Sequence, residues 1–77
     1  MTKHVHVIIK GRVIGVSYRA WTKTQARSLG LTGWVKNVGD HVEAFFQGEE
    51  ENINKMLELL KTGPPSARVE KVEILET

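Results

Sequence analysis

Arg19 and the residues just before it carry the most chemistry in the chain. The stretch Lys10-Gly11-Arg12-Val13-Ile14-Gly15-Val16-Ser17-Tyr18-Arg19 holds two glycines, two arginines and a serine within ten residues. It follows an alternating apolar run and opens a segment with helical character. A glycine-bearing loop that leads into a helix N-terminus presents converging backbone N–H groups, and the helix dipole adds roughly half a positive charge there. Arg19 stands where the loop turns into helix, so its planar fork of donors could close on an anion held by the loop. The pattern is neither GxxxxGK[ST] nor GxGxxG. Taken alone it points to a small anion, phosphate or carboxylate. Arg12 reads as exposed or ion-paired. The bland alternative for Arg19 is a surface arginine at a helix start, where the dipole mildly disfavours it.

The elements that must position this loop follow from apolar spacing. Residues 3–10 alternate, with Val5, Val7 and Ile9 on one face and His4, His6, Ile8 and Lys10 on the other, as in a strand with one buried face. His4 and His6 have a spacing that a metal could use, but no third ligand is signalled, and two solvated histidines are the simpler reading. Residues 18–29 lack Pro and Gly. Tyr18, Thr22, Ala26 and Leu29 form a helical stripe, Lys23 and Arg27 fall on other faces, and Gly30 caps the end.

Residues 31–38 and 41–47 read as strands joined at Gly39-Asp40, with Gly48 breaking the second. Phe45 points to the open face, and Trp21 and Trp34 read as packing. Glu49, Glu50 and Glu51 suit the first turn of a helix whose Ile53, Met56, Leu57 and Leu60 recur at i, i+3, i+4 and i+7. Gly63 and Pro64-Pro65 end it. Residues 67–75 form a last strand, where the slip between Val69 and Val72 indicates a bulge or bend. The order β-α-β-β-α-β predicts an α+β, ferredoxin-like sandwich, an antiparallel sheet with two helices on one face, in a single domain over 1–77. Such a fold hosts many functions.

Composition narrows the field. Seventy-seven residues give a thin core, with no cysteines to supplement it by disulfides or thiolate metal sites. The net charge of +2 is mild and dispersed, which argues against a nucleic-acid partner. No apolar run approaches a membrane span, and the alternating start after Met1 is unlike a signal peptide, so a cytoplasmic setting is expected.

Two motifs in order make the reading sharper. Gly11-Arg12-Val13-Ile14-Gly15-Val16-Ser17-Tyr18-Arg19 resembles the acylphosphatase signature GRVQGVGFR. Gly33-Trp34-Val35-Lys36-Asn37, with Val42 and Gly48 beyond, resembles the second signature of that family, and Gly63-Pro64 and Ala67-x-Val69 resemble it too. The resemblance implies a metal-independent, cofactor-free hydrolase of acyl phosphates, expected to act as a monomer on a small-molecule substrate. It assigns phosphate binding to Arg19, placement of the attacking water to Asn37, and a backbone cradle to Ile14, Gly15, Val16, Ser17 and Tyr18. Three departures stand out: Ile14 replaces glutamine, Ser17 replaces glycine, and the hairpin is one residue shorter, with Gly39 left to supply the positive φ. If the Ser17 position needs positive φ, serine strains the cradle. The alternative to an enzyme is a related domain that binds acyl or carbamoyl phosphate with little turnover.

Overall fold

The computed structural model describes residues 1–76. Its elements run β1 (Thr2–Arg12), α1 (Tyr18–Ser28), β2 (Thr32–Val38), β3 (His41–Glu49), α2 (Glu50–Thr62) and β4 (Arg68–Glu76). The sheet order is β2-β3-β1-β4 and every neighbouring pair is antiparallel. This is the predicted ferredoxin-like topology. β1, the first strand made, lies between β3 and β4, so each β-α-β unit straddles a strand of the other.

The period-two pattern of β1 buries Val5, Val7 and Ile9 completely, and β3 adds Val42, Ala44 and Phe46 on the same side. The helices cover that side. α2 contributes Ile53, Met56 and Leu60, while α1 contributes Tyr18, Thr22 and Ala26. Burying a large apolar side chain stabilises by about 1.5–3 kcal/mol, so α2 is the stronger anchor of the two helices. Leu57, at the edge of its stripe, is only partly buried.

The helix ends follow their local signals. At the end of α1, Leu31 N–H donates to Ala26 O at 2.9 Å and Gly30 N–H donates to Arg27 O at 3.0 Å, the paired bonds of a Schellman motif. The β2–β3 hairpin turns on Gly39-Asp40, with positive φ at Gly39 alone (61°). One residue in the left-handed region at the first central position is what a type II′ turn requires. The shortened hairpin is therefore a regular two-residue turn.

Two expectations change. Gly48 does not break β3, because the strand runs on to Glu49 with Gly48 paired to Lys3. The glycine is there for space, since an added Cβ would lie 2.6 Å from Leu31 Cδ2. The bulge expected in the last strand is present, and there are two. Lys10 pairs with Lys71 but Gly11 with Val69, leaving Glu70 extra; His6 pairs with Glu76 but Val7 with Ile74, leaving Leu75 extra. The second skip restores neither residue to the core, and Ile74 and Leu75 both stay exposed.

Candidate active site

The loop from Val13 to Ser17 joins the end of β1 to the start of α1, and three contacts fix it. Val13 is buried and ties the loop to the core. Tyr18, the first residue of α1, is buried beneath it and donates its hydroxyl to Leu60 O near the end of α2 at 2.8 Å. Burial pushes the Tyr18 phenol well above its ordinary value, so it keeps its proton for that bond. Ser66, on the segment leading into β4, donates its hydroxyl to Val16 O at 2.9 Å. The core thus holds the loop from below, while α2 and the approach to β4 hold it from the side.

The loop leaves its donors free. Among the described residues, no backbone N–H from Ile14 to Arg19 meets a backbone acceptor, and the first bond of α1 runs from Trp21 N–H to Ser17 O at 3.0 Å. Unpaired N–H groups at a helix start suit an anion. Nothing on α1 neutralises this end, because its first turn holds no acidic side chain and Ser17 makes no capping bond. Ser17 has φ 62° and ψ 23°, squarely left-handed. The position does need positive φ, and serine accepts a strained backbone there.

Asn37 reaches the same place from β2. Its register position alternates with Trp34 and Lys36 and matches Val35, which packs on the core, so Asn37 faces the helices. β2 sits close to its neighbour at Gly33, where a Cβ would lie 1.8 Å from Phe45 O, so only glycine fits. Gly15, Ser17, Tyr18, Arg19 and Asn37 border one cleft of about 530 Å³ together with Val13, Ala20 and Lys23. Arg19 and Asn37 are both exposed to it. Ile14 and Val16 do not border the cleft. Ile14 points to solvent at 37% exposure, and Val16 packs partly against the core while its carbonyl takes the Ser66 bond.

Lys23 stands elsewhere than the sequence reading places it, and Trp34 and His6 have partners that the reading does not name. Lys23 was expected on another helix face, yet it borders the cleft, because it sits one turn after Arg19 on the side that α1 turns toward β2. The signal was the i, i+4 spacing of the two cations. Trp34 packs, as its sequence reading has it, but on the open side of the sheet, where it is 43% exposed and sets its edge against His6 at 5.5 Å. It stacks with Phe45 at 6.3 Å, Phe45 stacks with His4 at 5.7 Å, and Lys36 Nζ lies 5.1 Å from the Trp34 ring. His6 is not simply solvated either, since it pairs with Glu43 across the sheet. Among the described residues no three His, Cys, Asp or Glu side chains gather as a metal site. No helix among them is long and apolar enough to cross a membrane.

Known proteins match this chain in sequence and in fold. A family model described as acylphosphatase matches residues 5–77. An acylphosphatase of Acaryochloris marina is 49% identical over 70 residues, covering 90% of this chain and 75% of that protein. One of Methanothrix thermoacetophila is 46% identical over 77 residues, covering 99% and 86%. The solved structure of an acylphosphatase from Coxiella burnetii superposes with a TM-score of 0.94 at 39% identity, covering 99% of this chain and 81% of that one. With both motifs inside the matched span and the same fold around them, the chain belongs to the acylphosphatase family.

Proposed function

We propose that the cleft between the α1 N-terminus and β2 hydrolyses acyl phosphates to a carboxylate and inorganic phosphate, without a metal, in a monomeric cytoplasmic enzyme. One observation carries the assignment of residues: Arg19, Asn37 and a loop with unpaired N–H donors meet at a single cleft, although they come from different elements. In this reading the loop N–H groups and the Arg19 guanidinium hold the phosphoryl oxygens. Charge spreads over those oxygens as the P–O bond to the acyl group breaks, and fixed donors stabilise it with little reorganisation.

The leaving group is a carboxylate, so no strong general acid is needed. Asn37 orients the attacking water by accepting a hydrogen bond on its carbonyl oxygen. A neutral amide is too weak to take the proton, which passes to a phosphoryl oxygen of the substrate. Water oxygen bonds to phosphorus, the acyl oxygen leaves with the bonding pair, and the products are carboxylate and phosphate.

The test is release of inorganic phosphate from benzoyl phosphate with a chelator present. Turnover that survives the chelator supports the reading, and turnover restored only by added metal overturns its metal-free part. A second reading, binding of an acyl or carbamoyl phosphate with little turnover, draws on Ser17, whose strained backbone sits at the cleft. Tight binding of phosphate without hydrolysis in the same assay would favour it.

A further inference from the structure

A second cavity adjoins the phosphate cleft. This groove of about 340 Å³ runs between α1 and β2, and Lys23, Ala26, Arg27, Leu31, Val35 and Phe46 are among its walls. Lys23 borders both spaces, so they meet at that side chain. We propose that this groove receives the acyl arm of the substrate, and that Lys23 and Arg27 select arms carrying a second negative charge. The proposal rests on the acyl-phosphate reading above, because a phosphoryl group held beside Arg19 leaves its acyl part to extend from the cleft.

Charge supplies the main argument. Arg19, Lys23 and Arg27 recur every fourth residue along α1, and all three are exposed. At 1.5 Å rise per residue they stand about 6 and about 12 Å along the axis from the first to the second and third. Among the described residues none has a carboxylate within 4.0 Å, and no Asp or Glu borders either cavity. Like charges at this helical spacing repel, so the row is unfavourable until an anion joins it. The phosphoryl group answers Arg19 and part of Lys23. Arg27, one turn further on and absent from the phosphate cleft, is left for something else. Between them Ala26, Leu31, Val35 and Phe46 supply an apolar wall, with Thr22 and Thr32 beside it, which suits a short hydrocarbon or aromatic spacer with an anion at its far end.

The test compares benzoyl phosphate with 4-carboxybenzoyl phosphate, two rigid arms that differ by one distal carboxylate, in the wild-type chain and in Lys23→Gln and Arg27→Gln. The quantity read is the ratio of kcat/KM for the carboxylated substrate to that for the plain one. It should fall about tenfold in Arg27→Gln, which faces only the distal carboxylate, and about threefold in Lys23→Gln, whose charge the phosphoryl group shares, mainly through KM, as expected for lost charge pairing at a partly exposed site. Added salt should shrink the wild-type ratio. Equal losses on both substrates, or an unchanged ratio in both variants, overturn the subsite while leaving the hydrolase reading intact. No turnover of either substrate by the wild-type chain overturns the acyl-phosphate reading and the subsite with it.

Discussion

The two helices occupy equivalent places in the two β-α-β halves, yet they begin in opposite ways. α2 opens with Glu50 and Glu51 in its first turn, and α1 opens with no acid and with Arg19. Neither N-cap side chain closes on its helix. Both helices end alike, with one cation in the last turn, Arg27 or Lys61. α2 also pairs its lysines internally, Lys55 with Glu51 at 3.7 Å and Lys61 with Glu58 at 3.0 Å. One helix therefore neutralises its own positive end and anchors the core. The other leaves that end unneutralised and adds three cations that have no carboxylate partner among the described residues. The fold is common to both halves, and what separates scaffold from site is which dipole is already answered.

That contrast can be broken first at the site itself. Arg19→Ala and Asn37→Ala should each lower turnover of benzoyl phosphate by about 10²–10³, the scale of a lost preorganised donor. Near-normal rates in either variant would remove that residue from the mechanism. The same changes should leave urea unfolding almost unaltered, since both side chains are exposed.

The next largest effect tests how the α1 start is anchored to α2. Tyr18→Phe leaves Leu60 O without its partner and should cost about 1–3 kcal/mol in urea unfolding. The folded phenol holds its proton above the ordinary tyrosine range. Its contribution is thus complete below the unfolded pKa of about 10 and fades as pH rises beyond it. Wild-type stability should decline on that alkaline limb, and Tyr18→Phe should flatten the decline.

Ser17→Gly relieves a left-handed non-glycine residue and should stabilise by about 1 kcal/mol. Unchanged phosphate affinity in that variant would show that serine strains the backbone without reshaping the cradle. The smallest change makes one helix imitate the other. Ala20→Glu places an acid in the first turn of α1 and should stabilise it by about 0.3–1 kcal/mol. It should also raise KM for benzoyl phosphate, because the new carboxylate borders the phosphate cleft. A variant that is more stable and binds as well as the parent would contradict the account of why α1 lacks acids.

Much of this is legible in the sequence because it depends on local periodicity. Val5, Val7 and Ile9 announce a one-sided strand, Ile53, Met56 and Leu60 a core helix, and Gly39-Asp40 a tight turn. The positive φ at Ser17 could be anticipated only by comparing motifs, since serine itself gives no hint of it. What escaped depended on neighbours distant in sequence. Gly48 looked like a strand end, and only the Leu31 side chain across the sheet explains it. Lys23 looked peripheral because α1 has a weak apolar stripe, interrupted by Thr22, whose buried hydroxyl has no partner among the described residues. With so shallow a stripe, the face that borders β2 is set by packing. The second skip in β4, at Leu75, gives no local signal at all.

The bond from Ser66 to Val16 ties the loop to residues fifty positions later in the chain. It has a counterpart in the sheet, where β1 waits for β4 as its second neighbour. During synthesis the residues of the loop emerge early, and their supports emerge some fifty residues later. Contacts this distant in sequence form late and slowly. Hydrolytic activity should therefore arrive all at once, late in folding, and a nascent chain released before Ser66 would carry Arg19 and Asn37 without the support of the loop between them. The loop before α1 is thus held in place only once the last part of the fold has docked.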